Sequence, residues 1–363
     1  MSNQYEFELR TPFANAGERS PPAANLPAIV PIEHPTKAAG VWQRAQKAPS
    51  PLLPPGINVS DAFRLTLVQC RWHVAANAAV FVESREPEAI HQLRVGLRRL
   101  RVALTSFGGE FRTPQFEAVR LRAKDLAQQL APARDLDVFL SELFEPVAKA
   151  NGSQEALAVL RRRAEDARKQ AFGGALTAIS GPRLRMFMRD LSDITDGQGW
   201  PFPPYQVSVV TGVHAYRMPA ETLAERILSH RYKQACKRAR HLDRLTSAER
   251  HVLRIELKKL RYAAEFYVPF FDAGQAKKFL SRLARMQDVL GAVNDVAVAK
   301  QILEKLVATA ESVDGVSANE VSFAAGLIYG WHLERAAHTW QEAVQRWKKF
   351  VRTRVFWNAG PAR

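Results

Sequence analysis

The sequence predicts an all-α body built in two duplicated halves. Three observations carry this: apolar residues recur at helical period, capping and breaking residues bracket each periodic run, and one charged segment is written twice. No stretch alternates polar and apolar residues strongly enough to demand a sheet. The chain has 363 residues and 47% apolar content, enough for a sizeable core and too much for wholesale disorder.

Residues 1–58 hold 10 of the 21 prolines, clustered at Ser20-Pro21-Pro22 and Pro49-Ser50-Pro51-Leu52-Leu53-Pro54-Pro55, so an extended, largely disordered arm is expected there. Asn58 or Ser60 then caps a helix whose apolar face runs through Phe63, Leu67 and Cys70. Glu-Pro-Glu at 86–88 opens a second helix, with Pro87 in its first turn and Gly108-Gly109 closing it. Thr113-Pro114 opens a third, ending near Ala131, and another follows from about Ala133. Asn151-Gly152-Ser153 separates that one from a long Ala/Arg/Leu helix. Residues 197–219 read as a linker. Helices are expected after it at about 220–245, 247–268, 273–290, 293–312 and 317–355. The first repeat then covers 59–196, the second 220–357, and one helical domain 59–357.

The duplication rests on an offset of 160. His91-Gln-Leu-Arg-Val-Gly-Leu-Arg-Arg-Leu-Arg-Val-Ala103 aligns with His251-Val-Leu-Arg-Ile-Glu-Leu-Lys-Lys-Leu-Arg-Tyr-Ala263, with seven of thirteen positions identical. The same register pairs Arg71-Trp72 with Arg231-Tyr232, Arg122 with Arg282, Leu130 with Leu290, and Asp135 with Asp295. Chance does not hold one register across four helices.

The net charge is +16, from 52 Lys and Arg against 36 Asp and Glu, and nearly all of it falls after residue 58. A basic folded body expects a polyanion. At about 100° per residue, His91, Arg94, Arg98 and Arg101 fall within an arc of about 80°, beside Leu93, Leu97, Leu100 and Leu104. His251, Arg254, Lys258 and Arg261 repeat the row beside Leu253, Leu257 and Leu260. Neighbours in each row lie about 4.5–6 Å apart along the axis, the scale of phosphates on an extended polymer. On one helix such a row is more simply a solvated face, or one paired with Asp135, Asp137 and Asp295. Retention of the histidine and the cations in both halves argues instead for two rows facing a ligand cradle. His91 and His251 can contact that ligand or anchor structure, and the residues leave both roles open.

A third row, His230, Lys233, Lys237, Arg240 (or His241) and Arg244, follows the same spacing. Its first-half counterpart, Cys70, His73, Asn77 and Val80, is far less basic, so binding is expected to lean towards the second half. Arg231, Arg122, Arg282 and Arg285 are further candidates, whereas Arg161-Arg162-Arg163 and Lys348-Lys349 read as surface charge. Arg134-Asp135 with Asp137 is a weak metal signal.

Phosphate-loop, zincin, nucleophile-elbow and dinucleotide-binding motifs are absent from the sequence. Cations without a general base bind and do not hydrolyse, so no enzyme, cofactor or resident metal is expected. Cys70 and Cys236 make no disulfide framework, and neither a secretory signal nor a membrane-length apolar run is visible; a cytoplasmic protein is expected.

The two His/Arg segments resemble the CHAD family, the conserved histidine α-helical domain, whose hallmark His-x-Leu/Met-Arg-x-x-x-Arg-Arg-Leu-Arg stands at His91–Arg101 and, varied, at His251–Arg261. Leu130-Ala-Pro-Ala-Arg-Asp135 and Leu290-Gly-Ala-Val-Asn-Asp295 resemble its later segments. The resemblance spans about residues 58–355. It implies a pseudo-twofold pair of antiparallel helical bundles around a basic groove, and a binder of inorganic polyphosphate, often at polyphosphate granules. Glu6-Phe-Glu8-Leu-Arg10 looks like a trace of the CYTH triphosphatase start found in many relatives, with Arg10 in place of Lys; it carries no expected activity. The competing expectation is a nucleic-acid-binding or storage-granule scaffold protein, which charge alone permits. The rows lack the interleaved aromatics that base recognition uses.

Overall fold

The computed structural model describes residues 42–49, 52–107, 113–152, 154–196, 217–308 and 316–358. Most of the expected arm and linker, Gly108-Gly109 and Ser153 lie outside them. Among the described residues the body is helical with no extended strand, and Asn58 and Pro219 form an isolated antiparallel bridge. None of these helices is long and apolar enough to cross a membrane.

The described residues form the helices α1 Val59–Ser84, α2 Pro87–Phe107, α3 Pro114–Gln129, α4 Ala131–Val138, α5 Glu145–Asn151, α6 Glu155–Ser180, α7 Pro182–Thr195, α8 Ala220–Arg238, α9 Ser247–Tyr267, α10 Ala273–Ala308 and α11 Ala318–Val351. Their ends follow local chemistry. Asn58 accepts from the Asp61 amide at 2.9 Å, Thr113 caps α3, and Thr246/Glu249 and Ser317/Glu320 close reciprocal capping boxes on α9 and α11. Arg85 ends α1 in the left-handed region at φ 58°. One turn, Phe139–Phe144, is π-helical, and buried His332 of α11 donates from Nε2 to its Leu143 carbonyl at 2.7 Å.

The boundaries depart from expectation at four places. The stretches expected at 273–290 and 293–312 are the single helix α10, since Gly291 weakens a helix by only about 1 kcal/mol. The long Ala/Arg/Leu helix breaks into α6 and α7 at Gly181-Pro182, where a Cβ on Gly181 would meet the Thr177 carbonyl oxygen at 2.7 Å. Helix α8 stops at Arg238 rather than near 245, and a 3₁₀ turn occupies Leu242–Arg244. Finally, the arm read as disordered to residue 58 is seated before that point. Trp42 packs edge-on against Trp72, Gln46 pairs with Asn77, and Leu53 is buried. Those partners satisfy the extended backbone without helix or sheet.

Helix α2 packs on α1 and α3, while α9 packs on α8 and α10; α2 and α9 then meet each other. Leu93, Leu97 and Leu100 and their counterparts Leu253, Leu257 and Leu260 are fully buried, each stabilising by about 1.5–3 kcal/mol. Phe63 stacks on Phe107 at 4.7 Å, and Phe107 reaches Tyr267 at 5.6 Å, so one core joins α1, α2 and α9. A second core sets Phe139, Phe144 and Leu160 against Leu303 and Ile328 of α10 and α11. With their leucine faces committed, α2 and α9 turn their charged faces elsewhere.

Candidate functional site

The first row and most of the second line one cavity of about 670 Å³: His91, Arg94, Arg98 and Arg101 from α2, and His251, Arg254 and Lys258 from α9. Arg120, Arg134 and Lys259 join them, giving eight Arg and Lys against Asp135, Glu142 and Asp295. A second cavity of about 910 Å³ shares His91, Arg98, Arg254 and Lys258 with the first and adds Arg261. The two meet where α2 and α9 approach, forming one groove with its cations at the waist.

The charges there are poorly neutralised. Arg254 reaches Asp295 only at 4.0 Å, and its Nε, like that of Arg101, is buried without a protein partner. Arg94 donates to the Ala127 carbonyl at 2.7 Å, leaving part of its guanidinium free. Burial, then the like charges of Arg98 and Arg254, push the Lys258 ammonium down to about 6. Burial and Arg134 hold His91 below the usual imidazole range. Arg94 and Arg254 are lowered mainly by burial, although Asp135 and Asp295 oppose the shift. Asp135 is itself raised, by burial first, so it is a reluctant counter-ion. Such a site disfavours its own cations until an anion arrives.

His251 opens the second row with Nδ1 at 2.8 Å from Asn294 Oδ1, which orients the ring at the rim. Arg261 is held by Glu265 at 2.7 Å and Gln287 at 3.2 Å, and Glu265 also takes buried Arg99 at 2.6 Å. Asp137 turns away from Asp135 to bond Arg168 at 2.5 Å. The carboxylates that gave the weak metal signal therefore serve different neighbours, and no group of three potential metal ligands occurs among the described residues.

The whole third row, with Arg231, Arg122, Arg282 and Arg285, does not reach the groove. Lys233 and Lys237 are exposed on α8, which packs by buried Leu223, Ala224, Ile227 and Leu228, and neither lines the groove. Lys237 and Arg240 instead line a separate open pocket with Arg244 beyond the end of α8. Arg231 lies beside Glu256 and Tyr267, on the side of α9 turned from the groove. Arg122 is paired with Asp190 of α7. Arg282 donates to Thr353 Oγ1 at 2.7 Å and to the Lys349 carbonyl at 3.1 Å, tying down the end of α11. Arg285 is exposed on α10 outside both cavities. Conversely, Arg120, Arg134 and Lys259 enter the groove unforeseen. Arg134 directly precedes Asp135 in the repeated segment, and that position was its one legible sign.

A profile of the CHAD domain matches residues 66–304, more than half of the chain. The crystal structure of the CHAD domain from the plant Ricinus communis is similar over 88% of this chain and 99% of that one, at 25% identity and a TM-score of 0.72. PptA from Streptomyces chartreusis shares the fold over 80% of this chain and 100% of its own, at 18% identity and a TM-score of 0.58. No curated protein matches the sequence significantly. With its two His/Arg helices lining one groove and the profile match spanning both of them, the chain belongs to the CHAD domain family.

Proposed function

We propose that the groove binds inorganic polyphosphate, cradled between two duplicated halves related by a pseudo-twofold axis. The observation that carries this reading is the convergence of both rows on one cavity with eight Arg and Lys against three acids. Planar guanidinium forks about 4.5–6 Å apart along each helix can grip the non-bridging oxygens of one polyphosphate chain at several points, although its successive phosphates are closer together than that. Each contact is modest; a polymer adds them by multivalency, so affinity rises steeply with chain length. On this reading a long polymer offers many sites, and association with polyphosphate granules follows as part of the proposal.

The groove is assigned binding and no hydrolysis. Arg and Lys grip phosphate, Asp135 and Asp295 are the counter-ions of Arg94 and Arg254, and no cluster of metal-binding carboxylates stands among the described residues to activate a water. Nucleic acid is the weaker ligand on this reading: among the described residues Phe139 and Tyr262 alone supply Phe, Tyr or Trp rings to the first cavity, few for base stacking.

Titration calorimetry with long-chain polyphosphate, orthophosphate and duplex DNA at about 150 mM salt tests the reading. Only the long polymer is expected to bind tightly, and Arg98→Ala with Arg254→Ala to weaken it by about 10- to 100-fold. Equal or tighter binding of DNA, or full affinity in the double variant, overturns it.

A further inference from the structure

We propose that residues 42–49 form a fixed strap at one mouth of the groove and that Lys47, carried on it, is a further polyphosphate-binding residue; this rests on the polyphosphate reading above. The strap is held by side chains buried beneath it. Asn77 Oδ1 accepts from the Gln46 amide at 2.9 Å, and Asn77 Nδ2 donates to the Gln46 carbonyl at 3.0 Å, so one carboxamide satisfies both backbone groups of one residue. His73 Nε2 adds a bond to the same carbonyl at 3.0 Å and lies 3.2 Å from Gln92 Oε1. The two acceptors require a proton on Nε2, while burial pushes His73 down to about 4 and Nδ1 is buried without a partner, so the ring is the neutral Nε2–H tautomer. The Ala45 amide donates to Glu86 at 2.9 Å, and the rings of Trp42 and Trp72 meet at 5.3 Å.

Asn77 is 0% exposed and His73 1%. Lifting the strap strips partners from buried polar groups, which makes its seat specific. The seat also occurs once. At the offset of 160, Lys233 and Lys237 stand where His73 and Asn77 stand, and neither offers the acceptor that the Gln46 amide finds in Asn77.

The strap ends on the ligand. Lys47, Ala48 and Pro49 line the cavity of about 910 Å³ together with Arg98, Arg254, Lys258 and Arg261. Lys47 is exposed and has no ion-pair partner among the described residues. Glu265, an acid of that mouth, is already shared by Arg99 and Arg261. A polymer gripped at the waist by Arg98, Arg254 and Lys258 and leaving through this mouth passes Lys47. A short oligophosphate held at the waist does not reach it.

The test measures binding of long-chain polyphosphate and of tripolyphosphate, across salt, to the full chain, Lys47→Ala, Lys47→Arg and the groove control Arg98→Ala. Lys47→Ala is expected to weaken the long polymer by about 3- to 10-fold and to reduce the slope of log affinity against log salt by about 0.7. Lys47→Arg restores both, and tripolyphosphate binding is unchanged by either. A side chain that merely shapes the mouth leaves the salt slope where it was. Unchanged long-polymer affinity and slope in Lys47→Ala, with Arg98→Ala weakened, overturns the role of Lys47 and leaves the groove standing. If Arg98→Ala also binds normally, the groove reading falls and Lys47 with it. Lys47 is solvent-exposed, so its variants keep the wild-type melting temperature.

Discussion

Lys258 is where charge and function meet at the scale of one side chain. Its ammonium is pushed down to about 6 from 10.5, chiefly by burial and then by Arg98 and Arg254. The folded protein therefore binds fewer protons there than the unfolded chain between those two values, so this group destabilises the fold increasingly as pH falls from about 10.5 to 6. Lys258→Met is expected to raise stability at neutral pH by about 1 kcal/mol, well below the full linkage value because the side chain is only half-buried; thermal melts read it. A bound polyanion reverses the shift. Polyphosphate binding at about pH 7.5 is thus expected to take up protons, and affinity to fall as pH rises from 6 to 8. Calorimetry in buffers of different ionisation enthalpy measures the uptake, and uptake that survives in Lys258→Met assigns the proton to His91. The rows themselves were legible because 3–4 spacing puts a cation on one helical arc. Arg122 and Arg282 shared the repeat's register equally well, yet each is bound to a neighbouring helix or its end. Identity at matched positions does not distinguish a ligand contact from a structural pin.

At the scale of elements, the halves diverge where single residues change the backbone. Pro132 sits in the first turn of α4, and the chain is interrupted at Leu130 between α3 and α4. Ala292 stands at the matching position, and α10 runs straight through. A Cβ on Gly291 would meet nothing within 4 Å, so Gly291→Ala is expected to stabilise the protein by about 0.5–1 kcal/mol, read in thermal melts. The opposite holds for Gly96, where a Cβ would meet Val74 Cγ2 at 2.9 Å and His73 Nδ1 at 3.1 Å. Gly96→Ala is expected to cost about 1–3 kcal/mol in denaturant melts and to loosen the strap seat through His73. The basic row of α8 misled for a related reason. Periodicity shows that a helix has a charged face, and only packing decides where that face points.

Over the whole molecule, most of the excess positive charge is carried by one folded body, and the groove sets eight Arg and Lys against three acids. Binding is expected to weaken with salt at a slope near −0.7 for each phosphate neutralised, and saturating polyphosphate at 100 times its dissociation constant to stabilise the fold by about 2.7 kcal/mol. A melting temperature that long polyphosphate leaves unmoved contradicts both. Helix class and the two His/Arg rows were determined by the sequence alone, because each is a matter of spacing and residue type along one helix. That α2 and α9 turn their rows into the same cavity, while α8 turns its own outwards, was decided only in three dimensions. So were the seating of residues 42–49 on Asn77 and His73 and the gathering of Arg120, Arg134 and Lys259. These depend on which faces the leucines and phenylalanines bury against each other, and burial is a property of pairs of elements that no single stretch of sequence contains.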